Sequence, residues 1–480
     1  MAVRIAAVVA VVAAVTFTSV LPAGAEVVDQ DFEHDTWDES PGQTLAEAID
    51  ALKEAHPYDL VDVRGLDMTR TQRVRGYSGR GLEVVIPSGG FRGFGPYARF
   101  SERVDEAWFR YYVYLDGFLP VSSGKLPGPA DASGTTSAKG CKPSTVDAPG
   151  WSARLMFDTV GTAGASTGEV PIGYYLYHLD QAGNCGDEHM FGVGLAQQRW
   201  TCIEGHVRMN TPGQNDGSIE AWVDSRHVFE RTGLAFRRPG EDLGVREMWD
   251  NVYFGGSFPT PNHLRLVIDE VAISDTARPG CIDPFVDDNH SVHEGALTEL
   301  YARQLLFGCR EDRACPDDDL TRAEFATLMH RVVGAPGGPD AFSDDDGHWA
   351  EKSLDALAAA GLVRGCDPPA NTRVCPDDPV TRAQVAVIVR RALSLEDGPD
   401  AFTDDDGHWA EAEINAVAAS GITRGCAEDA FCPDRTMSRA EAATFMVRID
   451  DRLRSVEVLS PLPDWPPDGP PPPKPVEERE

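Results

Sequence analysis

Between residues 63 and 283, apolar positions recur with period two in short runs separated by glycine-rich turns. Gly81–Ile86, Trp108–Leu115, Trp151–Phe157, Tyr174–Leu179, Thr201–Asn210, Ser218–Val223 and Leu264–Ile273 each read as a strand. Many short strands with almost no helical periodicity imply an all-β sandwich or barrel. The stretch Gly150-Trp-Ser-Ala-Arg-Leu-Met-Phe157 carries the sharpest pattern. With side chains alternating between faces, Trp151, Ala153, Leu155 and Phe157 lie on the core, and Ser152, Arg154 and Met156 form the other face, which leaves Arg154 presented rather than buried. Gly173-Tyr-Tyr-Leu-Tyr177 alternates likewise, and antiparallel pairing of the two strands gathers Ser152, Arg154, Tyr175 and Tyr177 on one surface. Lys125, inside Gly124-Lys-Leu-Pro-Gly128, belongs on a loop or strand end near it.

The lead segment, 26–62, opens on a strand-like Val27-Val28 and holds a helical patch at Thr44–Ala55, with no assignable chemistry. Past Asp283 the period changes and a repeat begins. Phe342-Ser-Asp-Asp-Asp-Gly-His-Trp-Ala350 returns as Phe402-Thr-Asp-Asp-Asp-Gly-His-Trp-Ala410, and Cys309, Cys366 and Cys426 keep the same course, so three units are expected at 285–341, 342–401 and 402–455. Each predicts a short helix, a loop with two cysteines, and a second helix opened by a capping box at Thr321, Thr381 or Ser438. The acidic runs Asp344–Asp346 and Asp404–Asp406 lack the spacing of a recognisable calcium loop and read as solvated turns. Residues 456–480 form a proline-rich tail, expected to be disordered or extended.

Charge and cysteines narrow the partners. The net charge is −34, yet residues 64–283 hold 22 Lys and Arg against 26 Asp and Glu, so the excess acid lies outside the β region. That balance argues against nucleic acid and leaves room for an anionic ligand at a local site. Residues 1–25, with Arg4, an apolar run and Ala23-Gly-Ala25, read as a secretory signal. No later run approaches the roughly 20 apolar residues needed to cross a bilayer. Ten cysteines in an oxidising compartment imply disulfides. Cys309–Cys315, Cys366–Cys375 and Cys426–Cys432 are local candidates. For Cys141, Cys185, Cys202 and Cys281 the pairing 141–185 with 202–281 is preferred among three.

Two resemblances follow from these motifs. The repeats resemble S-layer homology modules through their Phe-x-Asp openings, His-Trp-Ala turns and Thr-Arg-Ala-Glu helix starts, with Val292 standing in the first copy where Trp349 and Trp409 stand in the others. That resemblance implies an all-α unit attached non-covalently to cell-wall polysaccharide, with Arg322, Arg382 and Arg439 holding acidic sugars; the competing reading is that they form salt bridges in the first turn of each helix. Residues 63–284 resemble polysaccharide lyase family fourteen. The motifs are Gly124-Lys-Leu-Pro-Gly128, Gly150–Met156, Tyr175-Leu-Tyr177, Val207-Arg-Met-Asn-Thr-Pro-Gly213, Asp216-Gly217, Trp222-Val-Asp224, Phe254-Gly-Gly256 and Ile268–Ser274.

The second resemblance implies a concanavalin-like jelly-roll sandwich that cleaves a polyuronate of the alginate kind by β-elimination. Its implied site is Lys125, Tyr175 and Tyr177 for proton transfer, with Lys125 and Tyr177 as the main pair, and Ser152 and Arg154 for the substrate carboxylate. No metal or cofactor is required. An insertion, Asp131–Pro149, and a long connection, Thr159–Ile172, depart from the family pattern. His178, His189, His206 and Asp187 are expected to satisfy local hydrogen bonds. The alternatives are a carbohydrate-binding module without turnover and a structural surface protein.

Overall fold

The computed structural model describes residues 27–30, 71–78, 80–90, 97–118, 123–132, 137–158, 169–249, 252–254, 260, 263–310 and 312–457. The signal segment, the helical patch at 44–55, most of the 159–172 connection and the proline-rich tail lie outside the described residues. Two units are present, one of strands ending at Cys281 and one of helices that starts at Ile282 and also takes in 166–169 and 196–200.

The first unit holds β1 (Val27–Gln30), β2 (Thr71–Arg75), β3 (Arg80–Ile86), β4 (Tyr97–Val104), β5 (Glu106–Asp116), β6 (Gly124–Lys125), β7 (Gly128–Asp131), β8 (Trp151–Phe157), β9 (Glu169–Tyr177), β10 (Asp187–Ala196), β11 (Trp200–Arg208), β12 (Gly217–Val223), β13 (Arg226–Leu234), β14 (Val245–Trp249), β15 (Tyr253–Phe254) and β16 (Leu264–Ser274). One sheet runs β13-β12-β11-β5-β16-β3-β2, with β1 against β16. The other runs β10-β9-β8-β7-β14-β4, with β6 bridging β8 and β15. The pairings are antiparallel, as in β8 with β9 and β16 with β5. The main core holds Leu82, Val84, Phe109, Tyr111, Ile203 and Ile268 from one sheet and Trp151, Ala153, Leu155 and Phe157 from the other. The apolar face expected of 151–157 is therefore the inner face of a two-sheet sandwich. Gly128 explains the glycine that closes the lysine motif: a Cβ there would lie 2.3 Å from the Ala153 carbonyl oxygen, so only glycine lets β7 cross β8 this closely.

The second unit holds α1 (Glu294–Ala302), α2 (Arg322–Val333), α3 (Glu351–Ala359), α4 (Arg382–Leu393), α5 (Glu411–Ala419) and α6 (Arg439–Glu457). Thr321 and Thr381 form the expected capping boxes with Glu324 and Gln384, and Ser438 exchanges the same pair of bonds with Glu441. The second helix of each repeat packs on the first helix of the next: α2 on α3, α4 on α5, and α6 back on α1. Three repeats thus close on one another around a shared apolar core. All five disulfides pair as preferred from the sequence, and no described cysteine is free.

Candidate active site and wall-binding unit

The register of β8 against β9 places Ser152 opposite Tyr177 and Arg154 opposite Tyr175. β6 pairs with the far end of β8, setting Lys125 opposite Met156 on the same outer face. The Lys125 ammonium lies 3.6 Å from the centre of the Tyr175 ring. The five residues singled out from the sequence are therefore neighbours on one sheet.

They do not lie on an open surface, which corrects the expectation of a presented Arg154. Arg154 is 3% exposed, Lys125 6%, and Ser152 and Tyr177 are fully buried. The cover is the inserted segment. Ser152 donates its hydroxyl proton to the Ala138 carbonyl at 2.8 Å, and the Cys141 amide donates to the Tyr177 hydroxyl at 2.7 Å. The Cys141–Cys185 disulfide ties that segment to the turn after β9. There Gly186 packs so tightly that a Cβ would come within 3.1 Å of both tyrosine rings. Trp249, whose indole donates to Glu247 at 2.7 Å, completes the floor, with the Arg154 guanidinium 5.4 Å and the Lys139 ammonium 5.5 Å from its ring centre.

Burial and the adjacent Arg154 charge lower the Lys125 pKa from 10.5 to about 7, against the opposing pull of Glu188 and Asp158. The amine can therefore be neutral near neutral pH. Tyr175 is half-buried, and its pKa rises above the usual phenol value because of burial and its hydrogen bond with Tyr177. Its hydroxyl keeps its proton. Tyr175 and Tyr177 meet edge to face, 5.5 Å between centres. Of the polar residues assigned only local roles, His178 meets Asp187 at 2.9 Å, and His206 lies between Glu106 and Glu220 at 2.8 and 2.9 Å. His189 contacts Arg231. Trp249 and Lys139 went unnoticed in the sequence, although a 141–185 pairing already implied that the insertion reaches the end of β9.

Residues 82–264 match the family model described as polysaccharide lyase 14, and 341–386 and 401–443 match that of the S-layer homology domain. The chain carries a polysaccharide lyase 14 domain followed by S-layer homology domains. An S-layer protein of Bacillus thuringiensis subsp. finitimus is 29% identical over 34% of this chain and 20% of its own length. A cellulosome-anchoring protein of Acetivibrio thermocellus is 30% identical over 28% and 33%. This chain thus spans a fifth to a third of the length of these curated relatives. The crystal structure of a marine PL-14 alginate lyase from Aplysia kurodai is 21% identical, covering 45% of this chain and 90% of that one at a TM-score of 0.37. The S-layer homology domains make this a protein of the cell surface or cell wall. No helix among the described residues is long and apolar enough to cross a membrane.

In the S-layer homology unit the three arginines reach across repeat boundaries. Arg322 donates through Nε to the Val374 carbonyl at 2.7 Å and through Nη1 to Gln384 at 3.2 Å. Arg382 makes the same pair of bonds to Phe431 (2.8 Å) and Glu441 (3.4 Å), and Arg439 to Ala314 (2.9 Å) and Glu324 (3.4 Å). Each arginine therefore engages the capping-box residue of the following repeat, and the third engages the first. Arg382 and Arg439 thus form ion pairs with a glutamate on a neighbouring helix rather than in their own first turn, whereas Arg322 meets the neutral Gln384.

Proposed function

We propose that this protein is an exported, wall-anchored polysaccharide lyase that cleaves a polyuronate of the alginate kind by β-elimination. The observation that carries the reading is a buried lysine 3.6 Å from the Tyr175 ring centre on the sheet where Arg154 pairs with Tyr175, with burial and that arginine lowering its pKa to about 7. Neutral Lys125 takes the proton α to the uronate carboxylate, and Arg154 offsets the negative charge that builds on that carboxylate. Tyr175 protonates the departing glycosidic oxygen as the carbon–oxygen bond breaks and the ring double bond forms. Tyr177, fully buried, moves from the proton-transfer pair to a positioning role on Tyr175. Ser152, with its hydroxyl proton given to Ala138, anchors the covering segment. The sandwich is read as a jelly roll, and the closed triplet of repeats as the attachment to wall polysaccharide.

The test is ultraviolet absorbance of unsaturated uronate ends after incubating the protein with alginate, glucuronan and other polyuronates. A rise with at least one polymer is expected. Affinity for these polymers without any rise would leave a binding module in place of a lyase.

The stapled cover yields a second prediction. The Cys141–Cys185 bridge spans 44 residues, and closing a loop of that size contributes about 2–4 kcal/mol. Replacing both cysteines by serine should lower Tm and weaken turnover together, because the amide on Tyr177 is held by the same segment. Unchanged turnover in a destabilised variant would separate the staple from the site.

A further inference from the structure

We infer that each helical repeat binds a hard divalent cation of the calcium kind at a buried aspartate, Asp288 in the first, Asp345 in the second and Asp405 in the third. The sequence reading of the acidic runs as solvated turns holds for Asp346, Asp404 and Asp406, which are exposed, and fails at Asp345 and Asp405, which are buried. The three side chains are 1%, 1% and 0% exposed, and no other residue donates a hydrogen bond to either carboxylate oxygen of any of them; each has at most its own backbone amide as a partner. The same defect at three equivalent positions is a property of the repeat. A buried carboxylate with so few hydrogen bonds is strongly disfavoured, so each such group calls for a further partner.

The surroundings identify the kind of partner. The preceding aspartates are already engaged in holding the fold. Asp287 accepts the Ala314 and Cys315 amides at 2.8 and 3.0 Å, Asp344 those of Val374 and Cys375 at 2.7 and 2.9 Å, and Asp404 those of Phe431 and Cys432 at 2.7 Å each. The backbone carbonyls of the buried aspartates close their turns on Ser291, His348 and His408, each at 2.8 Å, which holds the side chains inward. The following glutamates fold back on the same turns, Glu294 on the His290 amide at 3.0 Å, Glu351 on Gly347 and Glu411 on Gly407 at 2.7 Å.

The charged groups that act most strongly on each buried carboxylate are acids. They are Asp283, Glu294 and Asp287 for Asp288; Asp355, Asp344 and Glu351 for Asp345; Asp404, Asp400 and Glu411 for Asp405. Protonation would remove the charge and still leave both oxygens without a donor from another residue. A cation answers both problems. Oxygen donors on a turn suit calcium, which accepts irregular sets of carboxylate, carbonyl and water oxygens. Soft metals are disfavoured, because the sulfurs near Asp344 and Asp404 are tied up in disulfides.

The experiment uses the full chain stripped with a chelator and titrated with calcium chloride at fixed ionic strength, followed by calorimetry and by thermal melting. Saturable binding of three equivalents and a Tm that rises with calcium are expected. Asp345→Asn and Asp405→Asn should each remove one equivalent. Terbium, excited through the nearby Trp349 and Trp409, provides a readout on the unmutated protein, and calcium should displace its luminescence. A melt indifferent to both calcium and chelator overturns the inference, as does calcium binding that survives both substitutions at full stoichiometry.

Discussion

Lys125→Met is expected to abolish turnover and, in the same protein, to raise the melting temperature at pH 7. Loss of a general base costs about 10²–10⁴ in rate. The stability gain follows from the sign of the pKa shift. Lys125 titrates at about 7 in the folded chain against 10.5 as a free lysine, so between those values the unfolded chain holds the extra proton and stability rises with pH. Below pH 7 the cost of the buried charge is complete, about 4–5 kcal/mol at 1.4 kcal/mol per pH unit. It is relieved as pH rises toward 10.5. An uncharged methionine lacks that cost at every pH, so the difference between the two proteins should shrink in alkaline solution. In the unmutated protein the proposed reaction's kcat/KM should climb as pH passes about 7, where the amine loses its proton. A flat profile through neutrality, or a methionine variant that still forms unsaturated ends, would remove Lys125 from the role of base.

That prediction rests on features the sequence exposes unevenly. The alternation in 151–157 and 173–177 was sufficient to fix which side chains share a face, because a one-residue slip would turn Arg154 into the core. The observed register, Ser152 on Tyr177 and Arg154 on Tyr175, keeps the four on one face, as any even shift would, so alternation fixed the shared face and not the register. Capping boxes at Thr321 and Thr381 were equally legible, since two residues three positions apart supply both bonds. What periodicity does not carry is whether a second layer covers a face. The outer face of β8 is polar by pattern yet closed by residues 137–142, and the information for that lies in a cysteine pair 44 residues apart. β13 was missed for a different reason. It is an edge strand with charged and polar side chains on both faces, Arg226, His227, Glu230 and Arg231 among them, so no apolar alternation marks it. Asp345 and Asp405 sit in runs of like charge, where composition favours solvent and only the fold turns one carboxylate of each run inward.

The largest expected effect in the helical unit is at Arg382, where substitution by alanine should unfold that unit more readily as well as weaken its hold on the wall. Its side chain is 2% exposed and its guanidinium lies 4.8 Å from the Phe431 ring centre, bonded to the Phe431 carbonyl and to Glu441. Removing one partner of a buried charged pair costs about 3–5 kcal/mol, and here a large cavity is added to it. Arg435 also reaches Glu441 and moderates the loss. Lysine is no substitute, because a single ammonium cannot span the carbonyl and the carboxylate together as the planar fork does. Arg322 is more exposed and bonds to a neutral glutamine rather than a glutamate, so Arg322→Ala should be milder. Thermal melting of the three alanine variants should therefore rank Arg382 and Arg439 above Arg322. Pull-down with purified wall polysaccharide supplies the second axis. An arginine whose loss abolishes wall binding at unchanged Tm acts on sugar; one whose loss lowers Tm first acts by closing the ring of repeats, and the geometry assigns Arg382 to that class.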